Sequence, residues 1–330
     1  MNAPRGKTVA TGQENHTRFS FLLLLLLPAL ALCFTACGHG ADDLKTRWEK
    51  WQEYAKSYAA SELFPPLVYP QGGDWLAAHH EAGETFEKYV ESRPIKLTRE
   101  RNRIVLQPVG PFTPQQEKLL EAMREFMAIY FQCKVDLLKP VDLPKEGFRQ
   151  RETGPQYLTS SITSGILLPR LPDDAASYVG ITCADIYPGP GWNFVFGEAY
   201  LRERVAVQSL ARYYPSFYGE KAPKDEETVV LRRTLKTMTH ETGHTFSMAH
   251  CVYFECNMAG SNSLPESDRR PLHLCPVCLR KLQWNRGFDA AKRYGELLGF
   301  YGKHGLAPEA EWIEKRLKEV KARTAGGGDS

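Results

Sequence analysis

The chain has 330 residues, 42% of them hydrophobic and 25% charged, which supplies apolar material for one large or two modest cores and excludes a disordered chain. Its formal net charge of +3 falls nearly to balance once residues 1–37 are set aside, where 39 basic residues face 38 acidic ones. Such a balance offers no excess of cations to hold a phosphate backbone, so nucleic acid is excluded as a partner.

The amino end reads as a targeting segment: a polar, mildly basic start with Arg5, Lys7 and Arg18, then an apolar run from Phe19 to Ala36 that contains Leu22 to Leu27. The run sits at the lower limit for spanning a bilayer, and Pro28 with the small residues at its end favours cleavage. Phe34-Thr35-Ala36-Cys37 resembles a bacterial lipoprotein signal, in which the cysteine becomes the lipidated first residue, although that pattern prefers leucine where Phe34 stands. A signal peptide of lipoprotein type over 1–37 implies an extracytoplasmic protein held at a membrane through Cys37. Ordinary cleavage and a retained anchor are the alternatives.

Residues 38–100 are expected as a helical extension. Within it, residues 43–64 place Trp48, Trp51 and Tyr54 at helical spacing, which suits packing on a core. His79 and His80 lie in a polar, helix-like segment over 76–93, where neighbouring residues point to different sides, so both are expected in solvent with no role. From Asn102 the texture changes. RIVLQPVG reads as a strand, Thr113 caps a helix, and KVDLLKPV reads as a second strand, together a β-α-β unit. A helix and loop lead to a third strand, YVGITCADIY, then the turn-rich PGPGW and two further strands, NFVFGEAYL and RVAVQSLARYY. Strands alternating with helices indicate an α/β fold with a mixed sheet.

The chemistry begins on the next expected helix, ETVVLRRTLKTMTHETGHTFSM. At about 100° per residue, Leu231, Leu235, Met238 and Thr242 share one face, and His240 and His244 share the opposite one. The helix can bury one side on the sheet while both imidazoles bind one ion. Glu241 points off that line, which suits a base acting on metal-activated water rather than a third ligand. His250 follows six residues beyond His244, where the chain can leave the helix and turn back, and three histidines leave a fourth position open for water. Met258 lies eight residues further on, at the place where metzincin-type peptidases put a methionine beneath the metal. Cys251, Cys256, Cys275 and Cys278 form a C-x4-C and a C-x2-C pair, spacing that can wrap a tetrahedral zinc, with a redox role for the C-x2-C as the alternative. Cys133 and Cys183 stand alone in apolar stretches and read as buried packing.

His240, Glu241, His244, His250, Cys251, Cys256, Met258, Cys275 and Cys278 together resemble the signature of the archaemetzincin family, H-E-x-x-H-x-x-G-x-x-H-C-x4-C-x-M followed by C-x-x-C. The resemblance covers about residues 101–285, and extends to VGITCADIYPGPGWNFVFGEA and GSNSLPESDRRPLHLCPVCLRKLQ. It implies a metzincin-like α/β domain over 101–285 with an active-site helix, and C-terminal helices with a disordered tail over 286–330. By matching position it implies two zinc ions. His240, His244 and His250 would bind the catalytic one, Glu241 would be the general base, and the four cysteines would bind a structural one. The implied cleft runs past an exposed sheet edge, for which the strand around Asn193 to Glu198 is the nominee. Ser247 departs from the pattern, standing where the family has the glycine that turns the chain out of the helix; a left-handed serine costs about 1–2 kcal/mol.

The expected activity is hydrolysis of peptide or protein substrates, held as extended strands, by zinc-activated water with Glu241 as base. Aminopeptidase action is also admitted by the resemblance, though no residue of the sequence identifies an acid for the substrate amine. The rival is a zinc-stabilised binding lipoprotein without catalysis, against which the intact Glu241 speaks. A nucleobase deaminase is excluded, because its signature is H-x-E with P-C-x-x-C, whereas Glu241 directly follows His240 and Pro276 lies inside the cysteine pair.

Overall fold

The computed structural model describes residues 36–58 and 61–326. The targeting segment expected over 1–37 lies outside the described residues except for its last two positions, as do the final residues of the tail, 327–330. Among the described residues no helix is long and apolar enough to cross a membrane.

Helix α1 (Ala36–Lys56) starts earlier and stops sooner than the helix expected over 43–64. Trp51 and Ala55 are buried, and Trp48 and Tyr54 pack beside them, so the aromatic stripe is core. The segment expected as one helix over 76–93 instead breaks into α2 (Trp75–Ala78) and α3 (Phe86–Glu91). The break is local in cause: His79 is extended at φ −123°, and Thr85 starts α3 afresh by accepting the Lys88 N–H. The extension is therefore largely irregular beyond α1. His79 is not left to solvent either. It stacks on Trp75 with centroids 3.8 Å apart, and its Nε2 lies 3.3 Å from Asn262 Oδ1.

The β-α-β unit forms as read, with β1 (Arg103–Val109), α4 (Pro114–Phe131) and β2 (Lys134–Leu137). Thr113 and Gln116 exchange the two bonds of a capping box at the start of α4, and β1 pairs with β2 in parallel. Next comes a hairpin that the sequence reading left out, β3 (Phe148–Arg151) and β4 (Gly154–Leu158), turning at Gly154 with φ +110°. Its strands are short and polar on β3, so alternation is weak; the turn glycine was the available signal. After α5 (Thr159–Ile162) run β5 (Ala175–Thr182), β6 (Asp185–Tyr187), β7 (Gly197–Ala199) and β8 (Val205–Ser209). The two strands expected over 193–201 and 204–214 thus keep only their centres.

The mixed sheet has the order β2-β1-β5-β8-β7, parallel except for the antiparallel β7 at its end, and β3-β4-β6 form a second, smaller sheet. Alternate residues of β1 enter two cores: Ile104 and Leu106 join one, Val105 and Val109 the other. The larger core is roofed by α4 and by α6 (Glu226–Thr245), the helix that carries His240 and His244. After α7 (Leu264–Arg269) and α8 (Pro276–Arg286), the helices α9 (Ala290–Lys303) and α10 (Ala307–Gly326) add Leu297, Phe300 and Ile313 to that same core. From Leu44 onward the described residues accordingly form one compact unit.

Candidate active site

Helix α6 packs on β5, β7 and β8, and its Leu231, Leu235, Met238 and Thr242 are buried as the periodicity requires. Thr245 at its last turn donates to Ser177 Oγ on β5 at 2.7 Å. Two residues later the chain turns. Ser247 takes φ +63°, the left-handed conformation expected of the family glycine. Its hydroxyl compensates locally, accepting the Ile95 N–H at 3.2 Å and donating to the Leu201 carbonyl at 2.9 Å. Tyr89 donates to the Phe246 carbonyl at 2.9 Å beside it. Ser247→Ala is expected to cost about 1–3 kcal/mol, since it keeps the strain and strands two partners. Ser247→Gly should cost less by about 1 kcal/mol, because it also relieves the turn. Melting curves at equal zinc content test this; equal stability of the two variants would contradict it.

The turn carries His250 back to α6, and the ligand atoms of His240, His244 and His250 all lie within 4.8 Å of one another. Each ring is backed through Nδ1: His240 on the Asn257 carbonyl at 2.7 Å, His244 on the Met248 carbonyl at 2.6 Å, and His250 on Glu81 Oε1 at 2.7 Å. A carbonyl or carboxylate can only accept, so each Nδ1 holds the proton and each Nε2 presents a lone pair. The Nε2 atoms of His240 and His244 face each other at 3.0 Å. Burial, then the neighbouring imidazoles, pushes His240 down to about 3 and His244 well below its ordinary value, so neither ring holds a second proton near neutrality. Converging lone pairs call for a cation. Zinc at 2.0–2.1 Å from each nitrogen in tetrahedral geometry would set them roughly 3.3 Å apart, so the donor set fits.

Glu241 is buried and its side chain lies against Gly197 at the sheet edge, in the same cleft as the three histidines. A Cβ built on Gly197 of β7 would lie 2.7 Å from Glu241 Oε1, so only glycine lets the strand pass over that carboxylate. Burial, and then the Glu198 carboxylate, raises Glu241 to about 8. Met258 lies under the helix: a Cβ on Gly243 would come 2.6 Å from its Sδ.

Cys251, Cys256, Cys275 and Cys278 form a second, fully buried cluster of free thiols. Cys251 Sγ and Cys275 Sγ are 3.6 Å apart, and the cluster sits at the start of α8, where the Cys275 N–H points at Cys256 Sγ from 3.3 Å. Burial, and next the adjoining thiols, pushes Cys275 well above its ordinary value, so four thiolates here need a cation. Cys133 and Cys183 are half-buried away from both clusters, with burial raising them to about 11 and about 12. They fit packing roles.

A cleft of about 630 Å³ opens over the histidines and Glu241, bounded by β7 and by Trp75, Trp192 and Leu201. The sequence reading missed one functional group here, Glu81, which comes from the extension, 169 residues before His250. Burial works to raise its carboxyl, but the bonds from His250 and Trp75 outweigh that and hold it below the ordinary range.

Residues 174–284 match peptidase family M54. The chain is 36% identical over 286 residues to archaemetzincin-2 of Macaca fascicularis, covering 76% of this chain and 79% of that protein. It is 35% identical over 181 residues to the archaemetzincin of Methanocaldococcus jannaschii, covering 55% of this chain and 93% of that one. A crystal structure of archaemetzincin from Methanopyrus kandleri is similar at 30% identity and a TM-score of 0.47, covering 58% of this chain and 98% of that one. The 76% shared with the macaque protein exceeds residues 101–285, so the likeness reaches into the flanking segments that the sequence reading had left out.

Proposed function

This chain belongs to the archaemetzincin family and is a zinc metallopeptidase, and on that premise we propose that His240, His244 and His250 hold the catalytic zinc and Glu241 is the general base. The observation that carries the reading is the convergence of three Nε2 lone pairs beside a buried carboxylate that is not among them. The four cysteines take a second, structural zinc, making two ions per chain.

Zinc bound by three imidazoles supplies a Lewis acid that polarises a carbonyl and makes water acidic enough to ionise near neutral pH. Glu241 receives the proton of the attacking water on its carboxylate and delivers it to the leaving amine nitrogen. Strand β7, at the end of the sheet, receives the substrate in extended form through main-chain hydrogen bonds, which asks little of substrate side chains. Aminopeptidase action needs an acid near the base for the substrate's amine, and Glu198 is the candidate, its Oε2 buried without a hydrogen-bond partner among the described residues. Digestion of a peptide library by the zinc-loaded protein, read by mass spectrometry, tests the reading and separates internal cuts from stepwise loss of amino-terminal residues. No cleavage by protein carrying zinc at both sites would favour the non-catalytic binding lipoprotein.

The Phe34-to-Cys37 pattern supports a signal peptide of lipoprotein type and an extracytoplasmic, membrane-anchored location. Metabolic labelling with a fatty acid should mark the wild type and not Cys37→Ala; an unlabelled wild type would rule the anchor out.

A further inference from the structure

We infer that Glu81, from the segment between α2 and α3, is a positioning residue for the third metal ligand; the inference rests on the histidine site proposed above. His240 and His244 sit on a helix and lean on carbonyls of neighbouring motif segments, Asn257 and Met248. His250 lies past the helix end, on a loop that leaves α6 through the left-handed Ser247. Its ring has the most freedom of the three, and the partner at its Nδ1 is the Glu81 carboxylate at 2.7 Å. That bond selects the tautomer with the proton on Nδ1, turns Nε2 toward the other two rings, and makes Nε2 more basic.

Glu81 is itself held. The Trp75 indole donates to the same Oε1 at 2.8 Å, and Arg47 donates to the Glu81 carbonyl at 2.9 Å. The Trp75 ring also stands edge-on to the His250 ring, centroids 5.1 Å apart, closing one side of the space the imidazole could swing into. Three residues on, Glu84 Oε2 accepts the Ala249 N–H at 3.2 Å, so the stretch 81–84 grips two consecutive residues of the ligand loop. The buried Lys281 of α8 fastens Glu84 in turn, donating to its carbonyl at 2.6 Å and its carboxylate at 2.9 Å. A stretch of chain outside the matched region 174–284 thus holds the ring that completes the site.

Cobalt(II) substitution tests this on the full chain, because thiolate coordination gives a sulfur charge-transfer band that the histidine site lacks, so chelator titration reads the two sites separately. Glu81→Ala is expected to weaken metal binding at the histidine site by about 10- to 100-fold and to leave the thiolate site unchanged, which also reports that the variant is folded. Glu81→Gln keeps an acceptor for Nδ1 and should recover most of the loss. Trp75→Phe, which removes the N–H steadying Glu81 but keeps the ring, should lose affinity in the same direction and by less. Wild-type affinity in Glu81→Ala would overturn the inference, as would equal losses at both sites or no recovery with Gln. If His244→Ala still bound the metal that lacks the sulfur band with wild-type affinity, the histidine-site assignment itself would be overturned, an outcome the Glu81 variants do not mimic.

Discussion

Glu241→Gln, loaded with zinc, is expected to lose about 10²- to 10⁴-fold in kcat/KM on any peptide the wild type cleaves, while keeping its metal content. The substitution preserves shape and removes the ability to take a proton. Shape matters here because the side chain fills the space beneath Gly197 of β7, and a smaller residue would let the strand settle. Metal content should hold because the three converging nitrogens belong to His240, His244 and His250, and Glu241 is not among the converging ligands. Peptide kinetics alongside metal analysis decides between roles. A variant that lost one zinc would make Glu241 a ligand, and one that kept wild-type turnover would place the base elsewhere.

The second large effect is expected from Cys278→Ser, which lies outside the histidine motif. Structural zinc in small peptide systems contributes about 10–16 kcal/mol, and losing one thiolate should empty that site. Two routes carry the loss to the catalytic histidines. Cys251 directly follows His250, and its N–H donates to the Met258 carbonyl at 2.7 Å, so a loosened Cys251 frees the third ligand and the methionine under the helix together. Cys278 also sits in the first turn of α8, whose Lys281 secures Glu84 and through it Ala249. The Ser247 turn is not the weak link, since its own hydroxyl is bonded on both sides. Affinity at the histidine site should therefore fall at least about tenfold, the lower range for outer partners of a metal ligand, and peptidase activity with it. Cys133→Ser, at a thiol apart from the cluster, should change neither site. If the thiolate zinc were gone while histidine-site affinity stayed at the wild-type level, the two metals would be independent.

Short-range spacing was enough for the parts whose geometry repeats along the chain. Helical periodicity puts His240 and His244 on one side of α6 and sends Glu241 off that line, and it buries Leu231, Leu235 and Met238 beneath them. Thr113 and Gln116 specify their cap within four residues, and the strand, helix and strand that follow from Asn102 need no distant partner to be read. The left-handed turn at Ser247 and the edge strand near Glu198 were implied by the family resemblance and not by periodicity. Whatever depends on residues far apart was left to the folded chain, because a contact across the fold leaves no period in either segment. Nothing near Glu81 marks it as the partner of His250, 169 residues on; nothing around Lys281 points to Glu84; and a helix-like stretch over 76–93 is interrupted around Glu81, which lines the cleft. The hairpin at 148–158 was lost for a related reason, since its strands are too short for alternation to show and gain their stability from pairing with β6. Local sequence chose the ligands, and long-range packing chose what holds the last of them in place.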